Sequence, residues 1–317
     1  MENQLRQKAK ELLEKGEAKV VIGYGWNKRK TRTTPVFITK PEDVEKLVFN
    51  PLCVNNLSLY LTRKFTDIKA LGKPAIVAKG CDIKTITVLI SESQIKREDV
   101  VILGMTCNGV VYKQELWKGE LKPEIMPTKC HNCDVRNPQS PLPTLPPQVG
   151  EEKGGGRSLA ADFVIGEKVN FTPPDTPAGM VFDKIRDLDK KSGEERWGFW
   201  IEHFNRCIKC YACRQICPLC YCDRCIAEKN MPQWIETSAH PRGNLAWNLK
   251  RAMDLAGRCT FCGECERACP VNIPLNLVNQ KMALVVKDAF GHRAGYDEKV
   301  HPPMIVFNME DEEDFIK

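Results

Sequence analysis

The sequence lacks the features by which membrane and secreted proteins are usually recognised. No apolar run approaches the roughly 18 residues that a membrane-spanning helix needs. The first residues, MENQLRQKAKELLEKG, contain no apolar stretch of the kind found in secretory signal peptides. Basic residues are not interleaved with aromatic residues along a stripe, which argues against nucleic-acid binding. We therefore expect a cytoplasmic protein that neither spans a membrane nor binds nucleic acid.

Histidine is also scarce, and no acid–base constellation is evident. The five histidines are scattered, and none lies beside a nucleophile in the sequence: His131, His203, His240, His292 and His301. Gly23 and Gly25 resemble the start of a dinucleotide-binding fingerprint, but the third glycine and the following helix are missing. Together with Lys28 and Arg29 they are candidates for binding the phosphate of a flavin or nucleotide. The alternative is a plain hairpin loop.

Cysteine, in contrast, is abundant, with 16 among the 317 residues. Two segments, 206–218 (RCIKCYACRQICP) and 258–270 (RCTFCGECERACP), share the spacing C-x2-C-x2-C-x3-C-P. This is the bacterial-ferredoxin signature, in which the fourth cysteine of each run ligates the other 4Fe-4S cluster. The spacing therefore predicts cluster 1 on Cys207, Cys210, Cys213 and Cys269, and cluster 2 on Cys259, Cys262, Cys265 and Cys217.

A βαβ unit is predicted in the N-terminal half. Residues 74–79 (PAIVAK) and 100–106 (VVILGMT) have the pattern of buried strands, and Asp82 can cap the helix between them. Strands joined in this way are parallel, so their carboxyl ends meet at one edge of the sheet. Cys81 and Cys107 follow those two ends, where open α/β folds bind ligands. The helix N-terminus is expected to favour the Cys81 thiolate.

Two further cysteines, Cys130 and Cys133, form a C-x2-C pair. With Cys81 and Cys107 they make a candidate third site of four thiolates. The alternatives from spacing alone are that Cys81 and Cys107 are buried small side chains and that the C-x2-C pair binds zinc or nothing.

Four cysteines remain outside these three sets. Because sixteen thiols divide into four groups of four, the remainder is a candidate fourth cluster, with free thiols or a zinc site that includes a histidine as the alternatives. The set consists of Cys53, Cys220, Cys222 and Cys225.

The chain is predicted to contain an α/β core with a partly parallel sheet, followed by an α+β ferredoxin-like dicluster domain with added helices. We place the core at 1–170, a linker at 171–196, the dicluster domain at 197–290 and a tail at 291–317. In the core, helices are expected over 2–15, 41–49 and 55–66, with strands at 19–24, 36–39 and 161–165. Proline-rich excursions are expected at 137–156 and 171–180.

Four segments carry a family resemblance: KGCD at 79–82, MTCNG at 105–109, CHNCD at 130–134 and ADFVIGE at 161–167. In this order they resemble the beta subunits of coenzyme F(420)-dependent hydrogenases and dehydrogenases, including formate dehydrogenase. The resemblance spans roughly 15–170 and implies that Cys81, Cys107, Cys130 and Cys133 bind a 4Fe-4S cluster beside a flavin. Here the chain enters the ferredoxin module where the family's core continues, which leaves FAD as an open alternative.

These patterns predict an iron–sulfur electron-transfer subunit of a cytoplasmic anaerobic redox complex, with three 4Fe-4S clusters and a candidate fourth. The resemblance implies as partners a catalytic subunit of formate dehydrogenase or hydrogenase type, a heterodisulfide-reductase-like flavoprotein, or both, so that the chain is expected to be part of a hetero-oligomer. The alternative function is a flavin-dependent oxidoreductase subunit acting on a deazaflavin or nicotinamide coenzyme. A third hypothesis is a scaffold stapled by zinc.

Overall fold

The computed structural model describes residues 1–112, 114–131, 133–138, 161–170, 182–229, 231–307 and 309. Most of the proline-rich segment at 137–156, the excursion at 171–180 and the last residues of the tail lie outside this part. The predicted domain limits therefore stay predictions. None of the helices in the described residues combines the length and the apolar character that crossing a bilayer requires.

A mixed five-stranded sheet organises the N-terminal half. Its strands are β1 (Val20–Trp26), β2 (Thr33–Ile38), β3 (Pro74–Ala78), β4 (Val101–Met105) and β5 (Phe163–Ile165), in the order β2-β1-β3-β4-β5. Strands β1, β3, β4 and β5 are parallel, and β2 pairs with β1 as an antiparallel edge hairpin. The predicted partly parallel α/β core is confirmed.

Helices cover this sheet because their apolar residues recur at helical spacing. Helix α1 (Glu2–Glu14) buries Leu5, Ala9 and Leu12 and ends just before Gly16, whose φ of +70° suits glycine. Helix α2 is the short Thr66–Ala70. The helices predicted over 41–49 and 55–66 are present as shorter 3-10 helices, Pro41–Lys46 and Leu57–Leu61.

Helix α3 (Gly80–Ser91) joins β3 to β4 and is buried on nearly every side. One side packs on the sheet through Ile83 and Ile86. The other packs on the C-terminal part, where Val88 and Leu89 contact Leu219 and Leu255. Burial on nearly every side is expected for a helix enclosed by two layers, and its buried polar residues Asp82, Lys84 and Thr85 are hydrogen-bonded there.

The C-terminal part is built on helices in the described residues. After the short α4 (Thr128–His131) of the core come α5 (Phe182–Asp189), α6 (Gly193–Asn205), α7 (Ala212–Gln215), α8 (Pro241–Asp254), α9 (Glu264–Arg267) and α10 (Leu275–Phe290). Ser192 and Glu195 form a capping box at the start of α6. The added helices predicted for the dicluster domain are confirmed.

Polar contacts join the two halves along α3. The Thr85 and Thr260 hydroxyls are 2.8 Å apart, and Glu92 pairs with Arg258 while accepting a 2.7 Å hydrogen bond from the Tyr221 hydroxyl. These groups are buried or partly buried, so water does not compete strongly for them. The cysteine-bearing loops of the C-terminal part are thereby fixed against the sheet edge.

Candidate metal centres

The four cysteines of the predicted third set line one cavity of about 50 Å³ at the carboxyl ends of β3 and β4. Cys81 lies in the first turn of α3, Cys107 follows β4, and the α4 segment carries the other two, Cys130 and Cys133. This gathering depends on tertiary structure, because the cysteines come from three separate elements. Their role as cluster ligands remains a prediction.

Close backbone packing holds the α4 segment against the sheet. A Cβ added to Gly80 would lie 1.9 Å from the carbonyl oxygen of Val135, so only glycine fits at the start of α3. The Cys107 amide donates to the Arg136 carbonyl at 3.0 Å, and the Arg136 guanidinium donates to the Cys130 carbonyl at 3.2 Å. Gly80 of the KGCD segment therefore allows the backbone at Val135 to pack directly against the start of α3.

Burial governs the chemistry of these thiols. It raises the pKa of Cys81, where Asp82 adds to the effect, and it raises the pKa of Cys133 to about 12. The expectation that the helix N-terminus favours a Cys81 thiolate is therefore wrong for the chain without metal. Deprotonation of such a set requires positive charge at the site, which an iron–sulfur cluster supplies when it is bound.

Buried cations next to the cavity fit a 4Fe-4S cluster, which is negatively charged overall once its four thiolate ligands are included. Lys79 is 2% exposed and pairs with Asp82 at 3.0 Å, while its ammonium also donates to the Asn55 carbonyl at 2.9 Å. Burial alone would lower the pKa of Lys79, but Asp82 and Cys81 together raise it. Lys129 also lines the cavity and donates to the Cys262 carbonyl at 2.7 Å. The donor set and the charges around it therefore suit a 4Fe-4S cluster.

The predicted second set lines another cavity, of about 20 Å³. Cys259 and Cys262 come from the loop that leads into α9, and Cys265 lies in α9 itself. Cys217 reaches the same cavity from the first repeat. Burial raises the pKa of Cys259 to about 11 and that of Cys262 to about 12. The crossing of a cysteine from one repeat to the other is the arrangement that the ferredoxin spacing predicts.

The two repeats share an uncommon backbone conformation around their middle cysteines. Lys209 and Tyr211 flank Cys210 with φ of +55° and +56°, and Phe261 and Gly263 flank Cys262 with φ of +59° and +72°. A short helix, α7 or α9, begins directly after each pair. Left-handed residues that alternate with right-handed ones curl a chain into an anion-binding concavity. The backbone of both loops therefore fits a negatively charged cluster.

The first set is gathered in the same way, although more exposed. Electrostatic contacts link Cys213 to Cys207, Cys269 and Cys210, and Cys210 is exposed at the surface. Phe204 and Trp200 of α6 pack against this group. Trp197, on the same helix, is instead 55% exposed.

The fourth candidate set is not brought together. Cys53 is fully buried in the sheet core, where burial raises its pKa to about 11 and its thiol faces the Val48 carbonyl. Cys220 packs with Cys217 in the layer next to α3, and Cys225 packs with the α6 and α8 layer, while Cys222 is exposed. The structure thus separates Cys53 from the other three.

The candidate phosphate-binding turn lies in the β1–β2 hairpin, as the alternative predicted. A Cβ on Gly23 would lie 2.5 Å from Leu47, and one on Gly25 would lie 2.7 Å from Val36. Packing therefore accounts for both glycines. Lys28 and Arg29 are exposed in the hairpin loop, and their phosphate-binding role stays a prediction.

Single-ion sites have a different geometry from cluster sites. A tetrahedral zinc ion needs sulfur atoms within about 4 Å of each other, given a Zn–S bond of about 2.3 Å. In the part of the chain that the structure describes, no three His, Cys, Asp or Glu side chains are arranged to hold one ion. A 4Fe-4S cluster spreads its four cysteines over its separate iron atoms.

Sequence reasoning missed the side chains that surround the thiols. Lys79 directly precedes Gly80 and Cys81, so its position in the KGCD segment was a usable signal. Arg251 and Thr260 line the cavity of the second set, yet Arg251 lies on α8, away from both cysteine runs. Spacing rules for cysteines carry no information about such residues.

Comparison with known proteins agrees with this architecture. Residues 200–274 match the family described as a 4Fe-4S dicluster domain. The C-terminal part is accordingly an iron–sulfur dicluster domain, as the two cysteine repeats predicted.

Two relatives extend the similarity to most of the chain. The "F420-dependent formate dehydrogenase subunit beta" of Methanocaldococcus jannaschii is 27% identical over 87% of this chain and 86% of its own length. The "F420-dependent formate dehydrogenase 1 subunit beta" of Methanococcus maripaludis is 23% identical over 85% of this chain and 84% of its own length. The resemblance to beta subunits of F(420)-dependent dehydrogenases is therefore confirmed.

Proposed function

We propose that this chain is the electron-transfer subunit of a formate dehydrogenase-type complex. In this proposal three cysteine sets hold 4Fe-4S clusters: the core set (Cys81, Cys107, Cys130 and Cys133), the middle set (Cys217, Cys259, Cys262 and Cys265) and the outer set (Cys207, Cys210, Cys213 and Cys269). When bound, such clusters accept and release single electrons. The relatives' names support the formate dehydrogenase assignment.

Contiguity of the three sets is the observation that carries the proposal. Thr260 lines both the core cavity and the middle cavity, so a single side chain separates them. Lys129, next to Cys130 of the core set, donates to the carbonyl of Cys262 in the middle set at 2.7 Å. The middle and outer sets exchange cysteines between the two repeats. These contacts support a line of three adjacent sites.

Both ends of this line are accessible from the surface, whereas its middle is buried. Cys210 of the outer set is exposed, and Ile208 beside it is 55% exposed. At the other end, Cys107 lies between Thr106 and Asn108, which line an open cleft of about 530 Å³. Two accessible ends joined by a buried middle suit a subunit that connects two redox partners. A catalytic formate dehydrogenase subunit is the proposed partner at one end, with a hydrogenase or a heterodisulfide-reductase-like flavoprotein as further candidates.

Iron and sulfide analysis of the anaerobically purified protein tests the proposal. We expect about twelve iron atoms per chain, and loss of about four from each variant that removes two cysteines of one set. Suitable variants are C81A/C133A for the core set and C259A/C265A for the middle set. Cys53→Ala is the matched control, because Cys53 is buried outside all three sets and its loss should leave the iron content unchanged. Clearly fewer than twelve iron atoms in the unmodified chain would contradict the proposal.

Partner identity requires a separate measurement. We expect formate to bleach the iron–sulfur absorbance only when a copurified catalytic subunit is present, because the described residues of this chain contain no evident formate-oxidising site. Bleaching by formate of the isolated chain would show that it is itself the dehydrogenase.

The flavin-dependent alternative is favoured by one observation. The cleft beside Cys107 lies at the carboxyl edge of β4 and β5, where open α/β sheets bind nucleotides, and Gly166 and Lys168 contribute to its lining. A flavin in this cleft would adjoin the core set. Acid extraction and fluorescence decide the point, because a chain that releases no flavin cannot act through one.

A further inference from the structure

Arg251 is a buried cation at the junction of the middle and outer cysteine sets. It is 3% exposed, on the inward face of α8. Its guanidinium donates to the carbonyl of Cys213, an outer-set residue, at 3.2 Å, and the side chain lines the cavity of the middle set. Its Nε is fully buried and has no hydrogen-bond partner among the described residues. Leaving a buried donor without a partner is unfavourable, so this Nε–H indicates an acceptor in the cavity.

Three other cations near the cysteine sets have carboxylate partners. Lys79 pairs with Asp82, Lys84 with Asp134 and Arg258 with Glu92. Within the described residues no such ion pair is found for Arg251, whose electrostatic neighbours are instead the thiols of Cys265, Cys217, Cys220 and Cys213. Burying an uncompensated charge is unfavourable. The anionic counterpart of Arg251 is therefore to be sought in the cysteine sets themselves.

We propose that Arg251 is a positioning residue that raises the reduction potential of the group held by the middle set, with its free Nε–H available to that group. The inference rests on the proposed function. A positive charge in a dry site stabilises the reduced form, which is more negative than the oxidised form, and hydrogen bonds toward cluster sulfur act in the same direction. The amide of Asn279, whose Nδ2 lies 3.9 Å from the sulfur of Cys265, supports the same environment.

Redox titration followed by electron paramagnetic resonance tests the proposal. The holoprotein is poised at the wild-type midpoint potential of the middle set, where the reduced and oxidised forms are equal. In Arg251→Gln we expect the reduced-to-oxidised ratio to fall about tenfold or more, which is about 59 mV for a one-electron couple. Arg251→Lys keeps the charge and should restore most of the ratio.

Lys250→Gln is the matched control. It removes the same formal charge from the adjacent position of α8, where Lys250 is partly exposed and pairs with Asp254. We expect its ratio to stay within twofold of the wild type, because solvent screens an exposed charge. The core set lies on the other side of Thr260, and its signal should change less than that of the middle set in every variant.

A second measurement covers the case in which Arg251→Gln does not retain iron. Wild-type protein labelled with [15N]arginine should show a 15N hyperfine coupling to the reduced middle-set cluster by electron–nuclear double resonance. The coupling should disappear in Arg251→Lys. Absence of the coupling in the wild type overturns the proposal, as does a ratio in iron-replete Arg251→Gln within twofold of the wild type. Failure of the proposed function would appear earlier, as iron content clearly below about twelve atoms per chain.

Discussion

The core set and the middle set each bring four cysteines together, but they differ in the origin of those cysteines and in the cations beside them. The middle set takes three of its four cysteines from seven consecutive residues, whereas the core set takes its cysteines from three separated elements. The core set is accompanied by Lys79, whose charge is offset by Asp82, and the middle set by Arg251, which has no such partner in the described residues. Local sequence thus builds one site, and tertiary packing with paired charges builds the other.

Breaking the Lys79–Asp82 pair should have the largest effect. Lys79→Met leaves the Asp82 carboxylate buried without its cation, which we expect to cost about 3–5 kcal/mol of the free energy of unfolding. The core set should lose its iron while the other two sets keep theirs. Anaerobic denaturant titration and iron analysis measure both effects. The double variant K79M/D82N should recover part of the lost stability, because it removes the unpaired carboxylate. A K79M chain as stable as the wild type would show that the Lys79–Asp82 pair does not stabilise the fold.

Gly80→Ala tests the packing that distinguishes the core set. The added Cβ meets the Val135 carbonyl, so the α4 segment has to move away from Cys81. We expect a loss of about 1–3 kcal/mol and lower occupancy of the core set only. Gly198→Ala is the matched control, since a Cβ there meets no atom and alanine favours the interior of α6. It should leave both stability and iron content unchanged or slightly higher. Equal effects of the two substitutions would show that close packing of Gly80 on Val135 does not position the core set.

The sequence predicted the sites of the two cysteine repeats more completely than it predicted the core set. The repeats predicted the middle and outer groupings directly, because ligand spacing within a loop is a local property. The βαβ pattern predicted that Cys81 and Cys107 share an edge, since parallel strands end together. It could not predict that Val135 packs on Gly80, or that Arg251 approaches the thiols from α8. The count of sixteen cysteines suggested a fourth set, but it carried no information about the position of Cys53 inside the sheet core.

Substitution of Thr260 probes the boundary between the two sites. Thr260→Val removes the hydroxyl that lies 2.8 Å from the Thr85 hydroxyl across the two halves. We expect a loss of about 0.5–1.5 kcal/mol, measured by anaerobic thermal unfolding. In the control, Thr87→Val, the lost hydrogen bond runs only to Ile83 within α3. Amide hydrogen exchange in the loop around Cys259 should therefore rise in T260V and not in T87V. Unchanged exchange in T260V would show that the contact does not hold the halves together.

The smallest expected effect concerns pH and the C-terminal half alone. Burial lowers the pKa of His292, whose Nε2 donates to the Gly257 carbonyl at 2.8 Å. The folded state therefore keeps this histidine neutral, and its contribution is complete above the unfolded pKa of about 6.5. As the pH falls below that value, the unfolded chain takes up a proton first, so stability declines by at most about 1.4 kcal/mol per pH unit.

His292→Gln checks this sign, because its amide can replace the Nε2–H donor without titrating. The free energy of unfolding of the wild type should fall relative to that of H292Q between pH 7.5 and 5.5. Both proteins are measured anaerobically. Because they carry the same clusters, any acid lability of those clusters cancels in the difference between their free energies of unfolding. A difference that is constant with pH would exclude His292 as the titrating group.

The contacts of Asp134 have a consequence for the order of biosynthesis. This carboxylate, next to Cys133, accepts hydrogen bonds from Arg293 at 2.7 Å and from the Tyr296 hydroxyl, and it pairs with Lys84 at 3.2 Å. Two of its three partners lie about 160 residues downstream, beyond the whole dicluster domain. The ribosome must therefore synthesise the chain past Tyr296 before the loop of Cys133 has its native neighbours. The cysteines of the core set precede the dicluster domain in the sequence. Their surroundings are nevertheless complete only after Arg293 and Tyr296 have been synthesised.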